Sequence, residues 1–151
     1  HGRNVARAVE SNRHSLRNPQ PQQVTMDAST NSLNWFEIPV KDIARATKFY
    51  EKVFGLKLTM MEMPGIVAAM FPMEPGSGKA NGCLAKSAMH KPAKSGCVVY
   101  LNANPDLKAP LGRVVKAGGT VAMPKTSIGP NGFMAFFIDT EGNKVAMHSN
   151  K

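Results

Sequence analysis

Glu37 and His148 are the two side chains of this chain best suited to act together. A carboxylate beside an imidazole can orient and charge the ring, carry a proton, hold a polar ligand head or offer two donors to a divalent metal. Both sit in stretches of alternating character, Trp35-Phe36-Glu37-Ile38 and Val145-Ala146-Met147-His148, and on a strand every second side chain faces the same side. With Phe36, Ile38 and Val40 packed under a helix, Trp35 and Glu37 turn the other way. Ala146 and His148 likewise oppose Val145 and Met147. A third stretch from Cys97 to Leu101 puts Cys97, Val99 and Leu101 on one face. Trp35, Glu37, Cys97, Val99, Leu101 and His148 are therefore the expected lining of a ligand-binding cleft. The competing reading makes Glu37 and His148 a satisfied polar pair at the cleft floor.

Other reactive types carry less. A nucleophilic cysteine needs a base and an electropositive neighbour, and the sequence sets neither beside Cys97, which reads as a small buried side chain. Cys83 and Cys97 are expected to be reduced thiols on separate strands. His90 lies in a lysine-rich, proline-containing loop and is expected to be solvated; His1 and His14 belong to the first residues. Ten methionines include Met60, Met61, Met63, Met70, Met73, Met123, Met134 and Met147 on or beside strand-like runs. Flexible thioethers fill cores, and they also shape adaptable pockets for hydrophobic or aromatic small molecules.

The elements that must position these residues come in two copies. Residues 34–58 read as strand, helix and strand, and 99–121 repeat that grammar. Asp42 and Asp106, and Gly55 and Gly119, are each 64 positions apart. Such an offset with short strands after each helix marks two βαβββ modules in one chain. Strands are expected at 33–40, 56–63, 66–72 and 82–88 in module one (31–90), around a helix at 42–54. Module two (95–150) gives strands at 96–102, 120–124, 132–139 and 144–149, with a helix at 105–117. Ile43, Ala46, Phe49, Tyr50 and Val53 recur at helical spacing and face a core. Gly55, Gly118 and Gly119 suit helix ends, and Pro72 to Gly82 forms a long flap. The fold class is α+β, two curled mixed sheets around a cleft.

In these residues the chain resembles the vicinal oxygen chelate superfamily, which holds glyoxalase I, extradiol dioxygenases and the fosfomycin- and bleomycin-resistance proteins. The resemblance rests on Phe36-Glu37-Ile38-Pro39-Val40 before Asp42, on Phe49-Tyr50 in the helix 46–55, on Ala117-Gly118-Gly119, and on Phe137-Ile138-Asp139-Thr140-Glu141-Gly142-Asn143. It covers residues 31–150 and implies the fold, not a reaction, because the fold hosts lyases, isomerases, oxygenases, transferases and plain binders. Metal-using relatives carry four ligands on the first and last strands of each module. The resemblance puts Trp35 and Ala146 at two of those positions, and neither side chain can ligate a metal. Relatives lacking the ligands keep a Glu like Glu37 and a His-Ser like His148-Ser149, and relatives of this size form homodimers.

Composition sets the outer bounds. The 151 residues suffice for one core without staples, and no apolar run is long enough for a membrane helix. The net charge is +9, but the lysines are spread singly and no nucleic-acid motif is visible, which leaves a solvated basic surface with a weak preference for anionic ligands. Residues 1–30, rich in Asn, Gln, Ser and Arg, read as a flexible extension before a single domain at 31–151. The expected function is the binding of a small hydrophobic or aromatic molecule without cofactor or metal, in a cytoplasmic homodimer with no nucleic-acid or membrane partner. The alternative is a lyase, isomerase or dioxygenase-type enzyme using Glu37 and His148, with or without a divalent metal. The sequence leaves open whether any reaction is catalysed.

Overall fold

The computed structural model describes Met26 and residues 28–151. The extension read over 1–30 therefore lies for the most part outside the described residues. Two four-stranded sheets carry the domain. In the first, β1 (Trp35–Pro39), β2 (Thr59–Met63), β3 (Ile66–Met70) and β4 (Asn81–Lys86) are ordered β1-β4-β3-β2; in the second, β5 (Tyr100–Asn102), β6 (Thr120–Ser127), β7 (Phe133–Ile138) and β8 (Lys144–Ser149) are ordered β5-β8-β7-β6. In each sheet the first strand runs parallel to the last and the other pairs are antiparallel. The repeat read from the sequence is thus a repeat of topology.

Helix α1 (Ile43–Phe54) follows from its sequence. Asp42 is extended and its side chain accepts from the Arg45 backbone N–H at 2.9 Å, while Gly55 ends the helix with φ 67°, a conformation that suits glycine. Ala46, Phe49, Tyr50 and Val53 form its buried stripe. Phe49 and Tyr50 meet edge-on at 5.1 Å between centroids, and both rings contact Phe137 of the second sheet. One apolar core therefore joins both modules, with Ile38, Val40 and Leu84 from one sheet and Ala135, Val145 and Met147 from the other. Burying such side chains contributes about 1.5–3 kcal/mol each.

The second helix departs from expectation. Instead of spanning 105–117 it is a short α2 (Lys108–Arg113) followed by a 3-10 turn at Val115–Ala117. Pro110 lacks an N–H and Gly112 favours the unfolded chain, so two of its six residues weaken the helix. Strand β5 begins at Tyr100 rather than 96, and β2 at Thr59 rather than 56, whereas β6 extends to Ser127 through two register shifts. Strand β8 occupies 144–149 as read from the sequence.

A polar lock binds the modules. The turn between β7 and β8 buries Asp139, Glu141 and Asn143. Asp139 accepts from the Tyr50 hydroxyl at 2.8 Å. Glu141 accepts from the backbone N–H groups of Lys41 and Asp42 and from the Arg45 guanidinium, at 2.8–3.1 Å. Asn143 donates to the Pro39 carbonyl and accepts from Ala93 N–H. Burial works upward on the Glu141 carboxyl, but Arg45 and the two backbone donors outweigh it and hold it at about 2.

Candidate functional site

Each sheet turns one face to the common core and the other, here called the free face, away from it. On β1, Ile38 and Val40 belong to the core, so alternation sends Trp35 and Glu37 to the free face. Glu37 is in register with Cys83 of β4, and Cys83 with Met70 of β3. Cys83, Ala85 and Ala68 form a second cluster flanked by Ile66 and Met70. The free face of the first sheet therefore has a floor of small side chains. Burial, and then the negative charge of Glu37, push the Cys83 thiol up to about 11, which keeps it protonated and unreactive at neutral pH.

Glu37 is the centre of a polar chain. Its Oε1 accepts from the Trp35 indole N–H at 3.3 Å, and its Oε2 lies 2.6 Å from His90 Nε2. On the far side of the ring, His90 Nδ1 is 2.6 Å from the Ser87 hydroxyl oxygen, which also accepts from Met89 N–H. An ionised carboxylate only accepts, so Nε2 carries a proton toward Glu37; Nδ1 accepts from Ser87 in the neutral ring and donates to it in the imidazolium. The hydrogen bond with His90 holds the Glu37 carboxyl below its usual range, against the opposing effect of burial.

The second sheet presents bulkier groups. Tyr100 packs against Phe136 at 5.8 Å between centroids, Tyr100 Oη reaches the Met134 sulfur at 3.8 Å, and Lys144 Nζ lies 5.9 Å from the Phe136 centroid. Ala146, in register with both aromatics, is buried between them. His148 Nε2 meets the Asn131 carbonyl oxygen at 2.7 Å.

Where the modules meet, a cavity of about 260 Å³ opens along β1, the segment 91–99 and the start of β8. Glu37, Pro39, Lys91, Cys97, Val99 and Lys144 are among its lining. It gathers three of the expected site residues, Glu37, Cys97 and Val99. Trp35 stands beside them through its bond to Glu37. Leu101 does not join, because β5 has the opposite phase: Leu101 packs into the core and Tyr100 takes the free face. Its side chain instead lines a separate apolar hollow of about 380 Å³ with Phe36, Phe54 and Phe71. Cys97 precedes the strand and is exposed rather than buried. The expected meeting of Glu37 with His148 does not occur; Glu37 is held by His90 and His148 by Asn131. His90, read from sequence as solvated, has only 12% of its side chain exposed. The signal for it lay in Ser87, three residues earlier, where a hydroxyl can reach the ring across one turn.

Against this geometry, the sequence profile described as the Glyoxalase/Bleomycin resistance protein/Dioxygenase superfamily matches residues 32–147. The chain belongs to that superfamily. A glyoxylase-like domain-containing protein of Didymella fabae is 34% identical over 119 residues, covering 76% of this chain and 91% of its own length. A mutant of glyoxalase I from Zea mays superposes with a TM-score of 0.62 at 25% identity, over 78% of this chain and 46% of the maize chain. This chain thus spans about half the length of the maize enzyme. An antibiotic binding protein from Streptomyces matches with a TM-score of 0.57 at 22% identity, over 83% of this chain and all of that one, a likeness of fold.

Two of the positions that the superfamily resemblance gives to metal ligands are held by Trp35 and Ala146. Neither side chain offers a ligand atom, and Glu37 pairs with His90. Among the described residues no three His, Cys, Asp or Glu side chains converge as a metal site. No helix among them is long and apolar enough to cross a membrane.

Proposed function

We propose that this superfamily member binds a small hydrophobic or aromatic molecule in the cavity between its modules, without a metal at the superfamily's ligand positions. The observation that carries this reading is the cavity itself, where Pro39, Val99 and Val145 stand beside the Glu37 carboxylate, Lys91, Lys144, Ser95 and Asn143. Apolar walls with a few placed polar groups are the usual make-up of a small-molecule pocket. The antibiotic binding protein from Streptomyces gives a precedent for such use of the fold. The alternative enzyme reading, using Glu37 and His148, loses the direct contact between them, since each has another partner.

Trp35, the only tryptophan of the chain, is bonded to Glu37 of the cavity and is expected to report on occupancy through it. Titration with naphthalene is expected to change its emission saturably, with one site per chain. An unsaturable, linear response overturns the proposal. Protein purified without chelator is expected to carry well under one equivalent of Zn, Ni, Mn or Fe, and chelation to leave the melting temperature unchanged. A stoichiometric, tightly held metal overturns the metal-free part. We also propose a homodimer, because β2 lies at a sheet edge with Met60, Met61 and Met63 exposed. A light-scattering mass of one chain would count against it.

A further inference from the structure

The chain Trp35–Glu37–His90–Ser87 joins one strand to a turn, and ligand binding by apolar contact alone has no use for it. Ser87 and His90 belong to the turn after β4, Glu37 to β1, and the His90–Glu37 contact closes a span of 53 residues at 2.6 Å. The ring is gripped at both nitrogens. Its effect is to fix one orientation of a carboxylate whose own side chain is 43% exposed and lines the cavity between the modules.

A carboxylate has about four acceptor positions. Trp35 and His90 take one each, so Glu37 keeps acceptor capacity for a ligand. The other charges on the same cavity limit what that ligand can be. A cationic head would face Lys91 and Lys144, and an anionic head would face Glu37 itself. A neutral hydrogen-bond donor satisfies Glu37 without meeting either repulsion. Apolar surface beside the donor comes from Pro39, Val99 and Val145, and Trp35 adjoins the cavity through its bond to Glu37.

Resting on the cavity-binding reading above, we propose that Glu37 selects aromatic ligands that carry a neutral hydroxyl, the phenol class, and that His90 is the positioning residue that aims it. The hydroxyl donates to a free lone pair of Glu37 while the ring lies in the cavity. His90 acts through Glu37 and makes no ligand contact.

The test uses three matched probes at pH 7, namely naphthalene, neutral 2-naphthol and ionised 2-naphthoate, each titrated against the full chain by Trp35 emission and calorimetry. 2-Naphthol is expected to bind roughly tenfold more tightly than naphthalene, as a hydrogen bond to a charged acceptor would give, and 2-naphthoate most weakly. Glu37→Gln should bring the naphthol-to-naphthalene ratio to about one. His90→Gln should lower the ratio by roughly threefold, with naphthalene unchanged. A purely structural role for His90 would weaken both probes together and would sink its assignment. Equal affinities in the wild type, tightest binding of 2-naphthoate, or a ratio that survives Glu37→Gln overturns the selection by Glu37. If Glu37→Gln fails to fold, the wild-type ratio and His90→Gln decide. Binding of naphthalene without preference refutes this inference alone; failure of every probe refutes the cavity reading with it.

Discussion

The two modules share one strand order and differ in how their last two strands are joined. Between β7 and β8 the turn is short and buried, and its three polar side chains reach back to Tyr50, Lys41, Asp42, Arg45 and Pro39 of the first module. Between β3 and β4 the chain makes a longer excursion through Glu74–Lys79, all exposed. It is tied by little more than Asn81 to Phe71 O and Asn31 to Gly78 O. The free faces differ as well. The first sheet shows Ala68, Cys83 and Ala85, where the second shows Tyr100, Phe136 and Met134. The second module supplies the fastening and the bulkier side chains; Glu37 stands on the first, in a cavity that both modules line.

The comparison breaks if the two connections prove equally important to stability. Glu141→Ala strands two backbone N–H groups and a guanidinium, and is expected to cost about 2–4 kcal/mol in urea unfolding. The acid limb should show the same group. A carboxyl depressed from 4.5 to about 2 stabilises the fold fully above pH 4.5, and that stability is lost as pH falls toward 2. The expected change is on the order of 1–3 kcal/mol across that window. A Glu141→Gln variant should lack it, and an unchanged acid limb in that variant would remove Glu141 from the account. Tyr50→Phe, which leaves Asp139 one donor short, is expected to cost about 1–2 kcal/mol. Smallest of all, replacing Glu74–Lys79 by glycine and serine should move stability by about 0.5 kcal/mol or less. A loss there rivalling that of Glu141→Ala would erase the contrast.

Much of the fold was legible because it is written locally. Asp42 and Gly55 mark the ends of α1, the spacing of Ala46, Phe49, Tyr50 and Val53 marks its buried face, and alternation in 144–149 sets β8. The phase of β5 was not, because three paired residues, Tyr100–Asn102, are too few for alternation to choose between Leu101 and its neighbour. The site was legible one residue at a time. Trp35 and Glu37 followed from the phase of β1, but the partner of Glu37 depends on the parallel register of β1 with β4, and no periodicity encodes that pairing. For the same reason the Asp139–Asn143 motif could be noticed in sequence while its role, capping a helix about 100 residues earlier, could not.

That cap also fixes how the chain can be divided. Residues 31–90 expressed alone would expose the Lys41 and Asp42 N–H groups and the Tyr50 hydroxyl without their acceptors, and would leave Phe49 without Phe137. Neither half is self-sufficient, so unfolding should be a single cooperative event and not two. A lone ancestral half of this kind would have needed a second copy of itself to complete its own interior. On that view the linker 91–94 turned an obligatory encounter between two molecules into one within a single molecule, at an effective concentration that no dilution can lower.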